Sequence, residues 1–173
     1  MSERPAHHVA AAIVRRGDEI VLVLQGAPGE EPFWALPGGV VDEGELVPET
    51  LVREVREEAG LTIELPARLA FVRQVDNRQP VQLVGGKPGV GFLVTVWVFE
   101  ADTWGGEVFP QDPDAFVTEA RFVPVADALE RLRRTDWLRI VADYLEGHVE
   151  PGSVHFERRH EDGRLESVYP RAD

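Results

Sequence analysis

The sequence predicts an α+β fold in which two helical layers enclose a mixed β-sheet, extended at the C-terminus by a β-hairpin. Three observations predict it. Runs of β-branched and aromatic residues outnumber amphipathic helical stretches. One well-punctuated helix falls between strands early in the chain, and two more follow the last core strand, which supplies a helical layer for each face of a sheet. Pro151-Gly152 then breaks the chain ahead of two alternating runs joined by Asp162-Gly163, a two-residue hairpin signal. With 173 residues, 43% of them hydrophobic, and no repeat or low-complexity tract, residues 1–150 read as one domain and residues 151–173 as an extension.

The elements follow in order. Val9 to Val14 is too short to span a membrane, and with Arg15-Arg16-Gly-Asp and the apolar run after Glu19 it reads as a hairpin, residues 7–15 and 19–25. A Gly/Pro loop at 26–32 leads to a short strand near Trp34. A helix is expected from 48 to 59, with Pro48 at its first position, Glu49 complementing the positive start and Gly60 just past the end. Val47 falls at its N-cap and offers no side-chain acceptor. Leu51, Val52, Val55 and Ala59 form its apolar stripe. Strands are expected at Ala67–Val75, Gly91–Glu100 and Ala120–Val123, and helices at Val125–Arg133 and Thr135–Glu146. The long Gly/Pro-rich connection Asp76–Val90 is a candidate substrate loop. An isolated hairpin is marginal in water, so the C-terminal one is expected to pack on the core or on a partner subunit, there shielding a cleft or forming a dimer interface.

The densest chemistry lies on the 48–59 helix. Glu54, Glu57 and Glu58 stand at offsets i, i+3 and i+4, so one face presents three neighbouring carboxylates. As a solvated face this arrangement is a liability, because like charges at that spacing cost roughly 0.2–0.5 kcal/mol per pair and neither Arg53 nor Arg56 falls between them. As a site it suits a hard cation. Glu45 can cap the helix from outside or pair with Arg53 across the loop; the pair is favoured, since an arginine beside three acids needs a counter-charge on its far side.

This stretch resembles the signature of the Nudix hydrolases: Gly, five residues, Glu, seven residues, then Arg-Glu-apolar-x-Glu-Glu-x-Gly-apolar. Gly39, Glu45, Arg53, Glu54, Val55, Glu57, Glu58, Gly60 and Leu61 match every specified position. The approach from Trp34 to Gly39 and the surrounding strand pattern fit as well. The resemblance implies an α/β/α sandwich and a metal-dependent hydrolase. It assigns Glu54, Glu57, Glu58 and the Gly38 carbonyl as metal ligands, with Arg53 orienting the glutamates. Gly39, Glu45 and Gly60 are structural in this pattern. The general base in the family is a glutamate of the signature or an acid from a later loop; Asp112, Asp114 and Glu119 are the candidates here, and Glu119 is chosen.

Physical chemistry constrains the rest. Net charge is −13, with 31 acidic against 18 basic residues, so an unaccompanied polyphosphate is repelled and a basic track for nucleic acid is not evident. Mg2+, with Mn2+ as a substitute, prefers carboxylate oxygens plus substrate phosphates; the absence of cysteine and the scattered histidines argue against zinc. The expected activity is cleavage, by water attack at phosphorus, of a nucleoside diphosphate linked to a moiety X, or of a nucleoside triphosphate. A non-catalytic nucleotide sensor and an RNA 5′-end pyrophosphohydrolase are the alternatives. Trp34 is a candidate for stacking on a base, and Arg73, Arg78 and Lys87 for contacting phosphates. A cytoplasmic protein, with a homodimer as the candidate assembly, completes the expectation.

Overall fold

The computed structural model describes residues 4–27, 29, 31–82, 88–89 and 91–170. The N-terminal hairpin forms as β1 (Ala6–Arg16) and β2 (Glu19–Gln25). It turns at Gly17, whose φ of 62° is a left-handed conformation that glycine adopts without a Cβ penalty. Two short strands follow, β3 (Phe33–Ala35) against β2 and β4 (Gly38–Val40) against β1. Then come α1 (Val47–Ala59), β5 (Leu61–Ile63), β6 (Arg68–Asn77), the two-residue strands β7 (Val81–Gln82) and β8 (Pro88–Gly89), and β9 (Phe92–Ala101). The chain continues through β10 (Trp104–Gly106), β11 (Val117–Pro124), α2 (Val125–Leu132), a 3-10 turn Asp136–Leu138, α3 (Arg139–Leu145), β12 (Ser153–Arg159) and β13 (Leu165–Tyr169).

The main sheet runs β11-β2-β1-β9-β6-β12-β13 and is mixed, with β1–β9 and β6–β12 parallel. Alternation along β1 assigns the layers. Ala10, Ala12 and Val14 face α1, where they meet Leu51, Val55 and Ala59. Ala11 and Ile13 face the other way, into a cluster with Leu132, Ile140 and Val141 of α2 and α3. Leu51 and Val55 are fully buried, each contributing roughly 1.5–3 kcal/mol of transfer free energy, and this clamps the acidic helix to the sheet.

Several expectations need correction. The α1 N-cap is Leu46, one residue earlier than expected, so Val47 is the first helical residue; the Leu46 N–H is satisfied by Glu49 Oε2 at 2.7 Å. The second C-terminal helix is divided, its first turn being 3-10 and only Arg139–Leu145 α-helical. Strand β6 continues to Asn77, so the candidate loop at Asp76–Val90 starts inside a strand and contains the β7–β8 ladder; residues 83–87, with Lys87, and 90 lie outside the described residues. Strands β4, β5 and β10 were not expected. Each is three residues long, too short to show a period, and two of them contain paired glycines. The C-terminal hairpin adds to the sheet edge, with β12 laid in parallel beside β6.

Candidate active site

The acidic face of α1 forms the floor of an open cleft of about 440 Å³. Gly38 and Gly39 of β4 close one side, and both positions require a missing side chain. A Cβ on Gly38 would stand 2.3 Å from the Ala10 carbonyl oxygen, and one on Gly39 would stand 2.3 Å from Glu54 Oε1. The Gly38 N–H instead donates to Glu58 Oε2 at 2.8 Å, tying strand to helix. The loop between β10 and β11 docks on the C-terminal end of α1 through Phe109 N–H to the Ala59 carbonyl at 3.0 Å and Gln111 N–H to the Glu57 carbonyl at 2.7 Å. It delivers Asp112 and Asp114 to the cleft.

Arg53 organises the glutamates. Its Nε and Nη2 bond Glu45 at 2.8 and 2.9 Å, while Nη1 reaches Glu54 at 2.7 Å and Glu57 at 3.3 Å. Hydrogen bonds from Arg53 and then Thr50 hold the Glu45 carboxyl at about 2, and the bond to Glu45 raises the Arg53 guanidinium further above its ordinary value. The opposite happens deeper in. Burial pushes the Glu58 carboxyl up to about 8, with Glu54, Asp112 and Glu57 adding to the rise against the Gly38 N–H. Burial likewise raises Glu54, opposed by Arg53.

Among the described residues, Asp42, Glu54, Glu57, Glu58, Asp112 and Asp114 line the cleft against the single arginine, Arg53. Oxygen donors crowded with too little positive charge are the donor set of a hard cation, and the raised Glu58 and Glu54 carboxyls are the electrostatic trace of that shortage. Glu54, Glu57 and Glu58 would hold such an ion, with room for a phosphate beside it.

Beyond Gly38, Gln25 and Phe33, which line both spaces, lies a second cavity of about 250 Å³, walled by residues such as Val9, Val96, Phe71, Trp137 and Ile140, with Arg73 at its edge. The sequence-expected residues divide accordingly. Gly38, Gly39, Arg53, Glu54, Glu57 and Glu58 meet in the acid cleft, while Glu45 stands behind Arg53 and Gly60 ends α1 with a φ of 73°. Glu119 does not line the cleft; it sits on β11 beside Arg121 at 3.1 Å, because a register shift between Val117 and Glu119 places it opposite Leu24, on the Trp34 face rather than the face of Gln25 and Phe33. Trp34 lines neither space. It packs against the α2–α3 side of the core, with the Arg121 and Arg131 guanidiniums over its ring at 4.7 and 4.8 Å. Its neighbour Phe33 takes the cleft position, as the period of two on β3 dictates. Arg78 is on the surface, paired with Asp76 at 3.0 Å, and Arg73 is buried at the second cavity. Gln25, Phe33 and Asp42 were missed; only the expected strand near residue 34, read residue by residue, could have pointed to Phe33.

An α+β sandwich whose cleft gathers six carboxylates around one arginine, among the described residues, has the donor set that suits a domain of the hard-cation-binding class. The chain belongs to the Nudix family: the NUDIX domain model matches residues 6–145. It is 32% identical over 133 residues to an ADP-ribose pyrophosphatase of Methanocaldococcus jannaschii, covering 77% of this chain and 69% of that protein. It is 30% identical over 131 residues to an 8-oxo-(d)GTP phosphatase of Mycolicibacterium smegmatis, covering 76% of this chain and 36% of that one, so the chain spans about a third of that relative's length. The crystal structure of a MutT protein from Bacillus halodurans shares the fold, with a TM-score of 0.63 over 92% of this chain and 94% of that one at 22% identity.

Proposed function

We propose that the protein is a divalent-metal-dependent pyrophosphohydrolase that splits a nucleoside diphosphate linked to a moiety X, or a nucleoside triphosphate, by water attack at phosphorus. One observation carries the reading: among the described residues, six carboxylates and one arginine line a cleft that opens directly onto an apolar cavity of about 250 Å³. A diphosphate enters so acidic a cleft only with a cation, and a base or other apolar group has a place to go next door. When bound, Mg2+ or Mn2+ supplies charge neutralisation for the phosphates and acidifies a coordinated water.

The chain's own residues supply the rest. Glu54, Glu57 and Glu58 provide the ligand oxygens, joined on the β4 side by the Gly38 carbonyl. Arg53 holds Glu54 and Glu57 in place from its anchor on Glu45. Both oxygens of Asp112 accept backbone N–H groups, from Asp114 at 3.0 Å and from Phe116 and Val117 at 2.7 and 2.8 Å, so this residue shapes the loop. Asp114 lines the cleft with no side-chain hydrogen bond among the described residues, and it takes the role of general base in place of Glu119. Gln25 and Phe33 guide the substrate from cleft to cavity. A small-molecule nucleotide fits the net charge of −13 better than an RNA end does. Among the described residues no helix is long and apolar enough to cross a membrane. The cytoplasm, rich in nucleotides and Mg2+, is the proposed setting, with β13, the edge strand of the sheet among the described residues, available to a second copy.

The test is Glu58→Gln assayed with Mg2+ on a panel of nucleotide sugars, dinucleotides and triphosphates. Turnover should fall by at least about 100-fold with the fold retained. Hydrolysis in 18O-labelled water should place the label on one phosphate product. Wild-type rates in the variant would remove Glu58 from the chemistry, and no hydrolysis of any panel member by the native protein would remove the hydrolase reading.

A further inference from the structure

The C-terminal hairpin lies outside the family-matched residues 6–145, yet it bonds to Arg73, a residue lining the apolar cavity. Parallel pairing of β12 with β6 sets His155 opposite Arg73 and Glu157 opposite Val75. From there Glu157 Oε2 accepts hydrogen bonds from Arg73 Nε at 3.0 Å and Nη2 at 2.5 Å. Arg73 Nη1 donates to the Trp137 carbonyl at 2.7 Å, and the Trp137 ring is packed by Phe92 at 6.1 Å and by the Arg159 guanidinium at 5.0 Å.

The Arg73 side chain is 4% exposed. A guanidinium carries five N–H groups, and these bonds use three of them, leaving one on each of Nη1 and Nη2. Arg73 is the one charged side chain among the described lining residues of a cavity whose other walls are nearly all apolar, so its guanidinium is the strongest polar group available to a ligand there. An arginine–glutamate pair shielded from solvent contributes little net stability compared with apolar residues of the same size, so the placement of Arg73 on a cavity wall points to recognition.

We propose that Arg73, positioned by Glu157 of the C-terminal hairpin, selects the base that enters this cavity. The terminal guanidinium edge accepts a purine that presents two adjacent acceptors, as guanine does with O6 and N7. It disfavours adenine, which presents a donor, N6–H, beside N7. Facing that donor, one guanidinium N–H stays buried and unpaired, which is the origin of the discrimination. The inference rests on the reading of the acid cleft as the diphosphate site, because that placement carries the base to the cavity. Glu157 is a positioning residue: it neutralises Arg73 and fixes the rotation of its planar fork, without touching the ligand.

The experiment is calorimetric titration of the whole chain, with Mg2+, using GMP, IMP, 7-deaza-GMP and AMP. GMP and IMP should bind about tenfold or more tightly than AMP, with 7-deaza-GMP, which lacks the N7 acceptor, weakened toward AMP. Glu157→Gln and Arg73→Lys should bring the GMP:AMP ratio to within about threefold, and Glu157→Asp, which keeps the carboxylate, should restore part of it. Equal binding of all four ligands by the native protein, no binding of any, or a preference for AMP overturns the proposal. So does a preference that survives both substitutions, or a loss in them that is equal for all four ligands. The ligand series uses the native protein alone and stays decisive if a variant fails to fold. Because titration with monophosphates needs no turnover, base preference without hydrolysis would sink the hydrolase reading alone, and hydrolysis without base preference would sink this one alone.

Discussion

Glu45 grips Arg53 with both carboxylate oxygens, Oε1 to Nε at 2.8 Å and Oε2 to Nη2 at 2.9 Å, on the side of the guanidinium turned away from Glu54. A planar fork held at one edge can offer the other in a fixed direction, and Nη1 offers it to Glu54 and Glu57. The seven-residue spacing between Glu45 and the arginine therefore has a mechanical purpose. It lets a loop acid brace a helix arginine from behind.

Glu45→Ala removes that brace. Arg53 loses its anchor and Glu54 its orientation, so kcat/KM should fall by about 10–100-fold at saturating Mg2+. Steady-state kinetics beside a thermal melt checks this. Unchanged kinetics with a lowered Tm would reduce Glu45 to a local fastener of the loop through Thr50, whose Oγ1 donates to it at 2.6 Å.

The two adjacent glycines of β4 should fail in different ways. Alanine at 38 drives its Cβ into the Ala10 carbonyl and to 2.6 Å from Ala11 Cα, fixed backbone of the central strand, so Gly38→Ala should cost about 1–3 kcal/mol of stability. Alanine at 39 meets first the Glu54 carboxylate, the mobile end of a side chain, at 2.3–2.9 Å. Gly39→Ala should stay within about 0.5 kcal/mol of native stability while losing most of its activity, because the displaced group is a cleft carboxylate. Urea titrations and assays of both variants separate these outcomes; equal destabilisation would refute the distinction.

The α1 region was legible from sequence because its signals are local. Apolar period, Pro48, Gly60 and the glutamate spacing all lie within about 20 residues, and a helix face is fixed by its own rotation. What the sequence hid is set by register between distant strands. Phe33 rather than Trp34 lines the cleft because β3 pairs Phe33 with Gln25, a one-residue choice that no local pattern decides. Glu119 falls outside for the same reason, and the loop bearing Asp112 and Asp114 enters only through its backbone bonds to the end of α1. The sequence offers Arg73 as a phosphate contact, but its partner Glu157 lies 84 residues away on a strand whose parallel pairing no local pattern announces.

Away from the cleft, Asp76 gives a pH prediction. Burial pushes its carboxyl up, but hydrogen bonds from Arg4, Arg158 and Arg78 outweigh burial and hold it at about 2, below its ordinary 3.8. A depressed carboxyl means the unfolded chain binds more protons in this window. The stabilisation is therefore complete above about 4 and is lost as pH falls through about 2. The three arginines are 36–45% exposed, so solvent screening limits the effect to less than about 1 kcal/mol. Asp76→Asn should be slightly less stable than the native protein at pH 7, and the gap should close between about pH 4 and pH 2. A gap that stays constant to pH 2 in urea unfolding would show that Asp76 acts through packing alone.

The strongest expected response is to magnesium itself. Among the described residues, six cleft carboxylates share one arginine, and the buried Glu58 lies under the combined field of Glu54, Asp112 and Glu57. A cation that binds the native site and not the unfolded chain adds about 2.7 kcal/mol at a concentration one hundred times its Kd. For a chain of this size that corresponds to a rise in Tm of about 5–10 °C. A chelator should reverse the shift. Glu54→Gln, Glu57→Gln and Glu58→Gln should each shrink it, because each removes a charged ligand oxygen and leaves an amide in its place. Metal-free Glu58→Gln should melt no lower than the metal-free native protein, since the substitution relieves like-charge crowding while the amide oxygen can still accept the Gly38 N–H. Scanning calorimetry with and without Mg2+ measures both effects. A native protein whose Tm ignores Mg2+ at millimolar concentration would leave these glutamates without the ion that their spacing and burial call for.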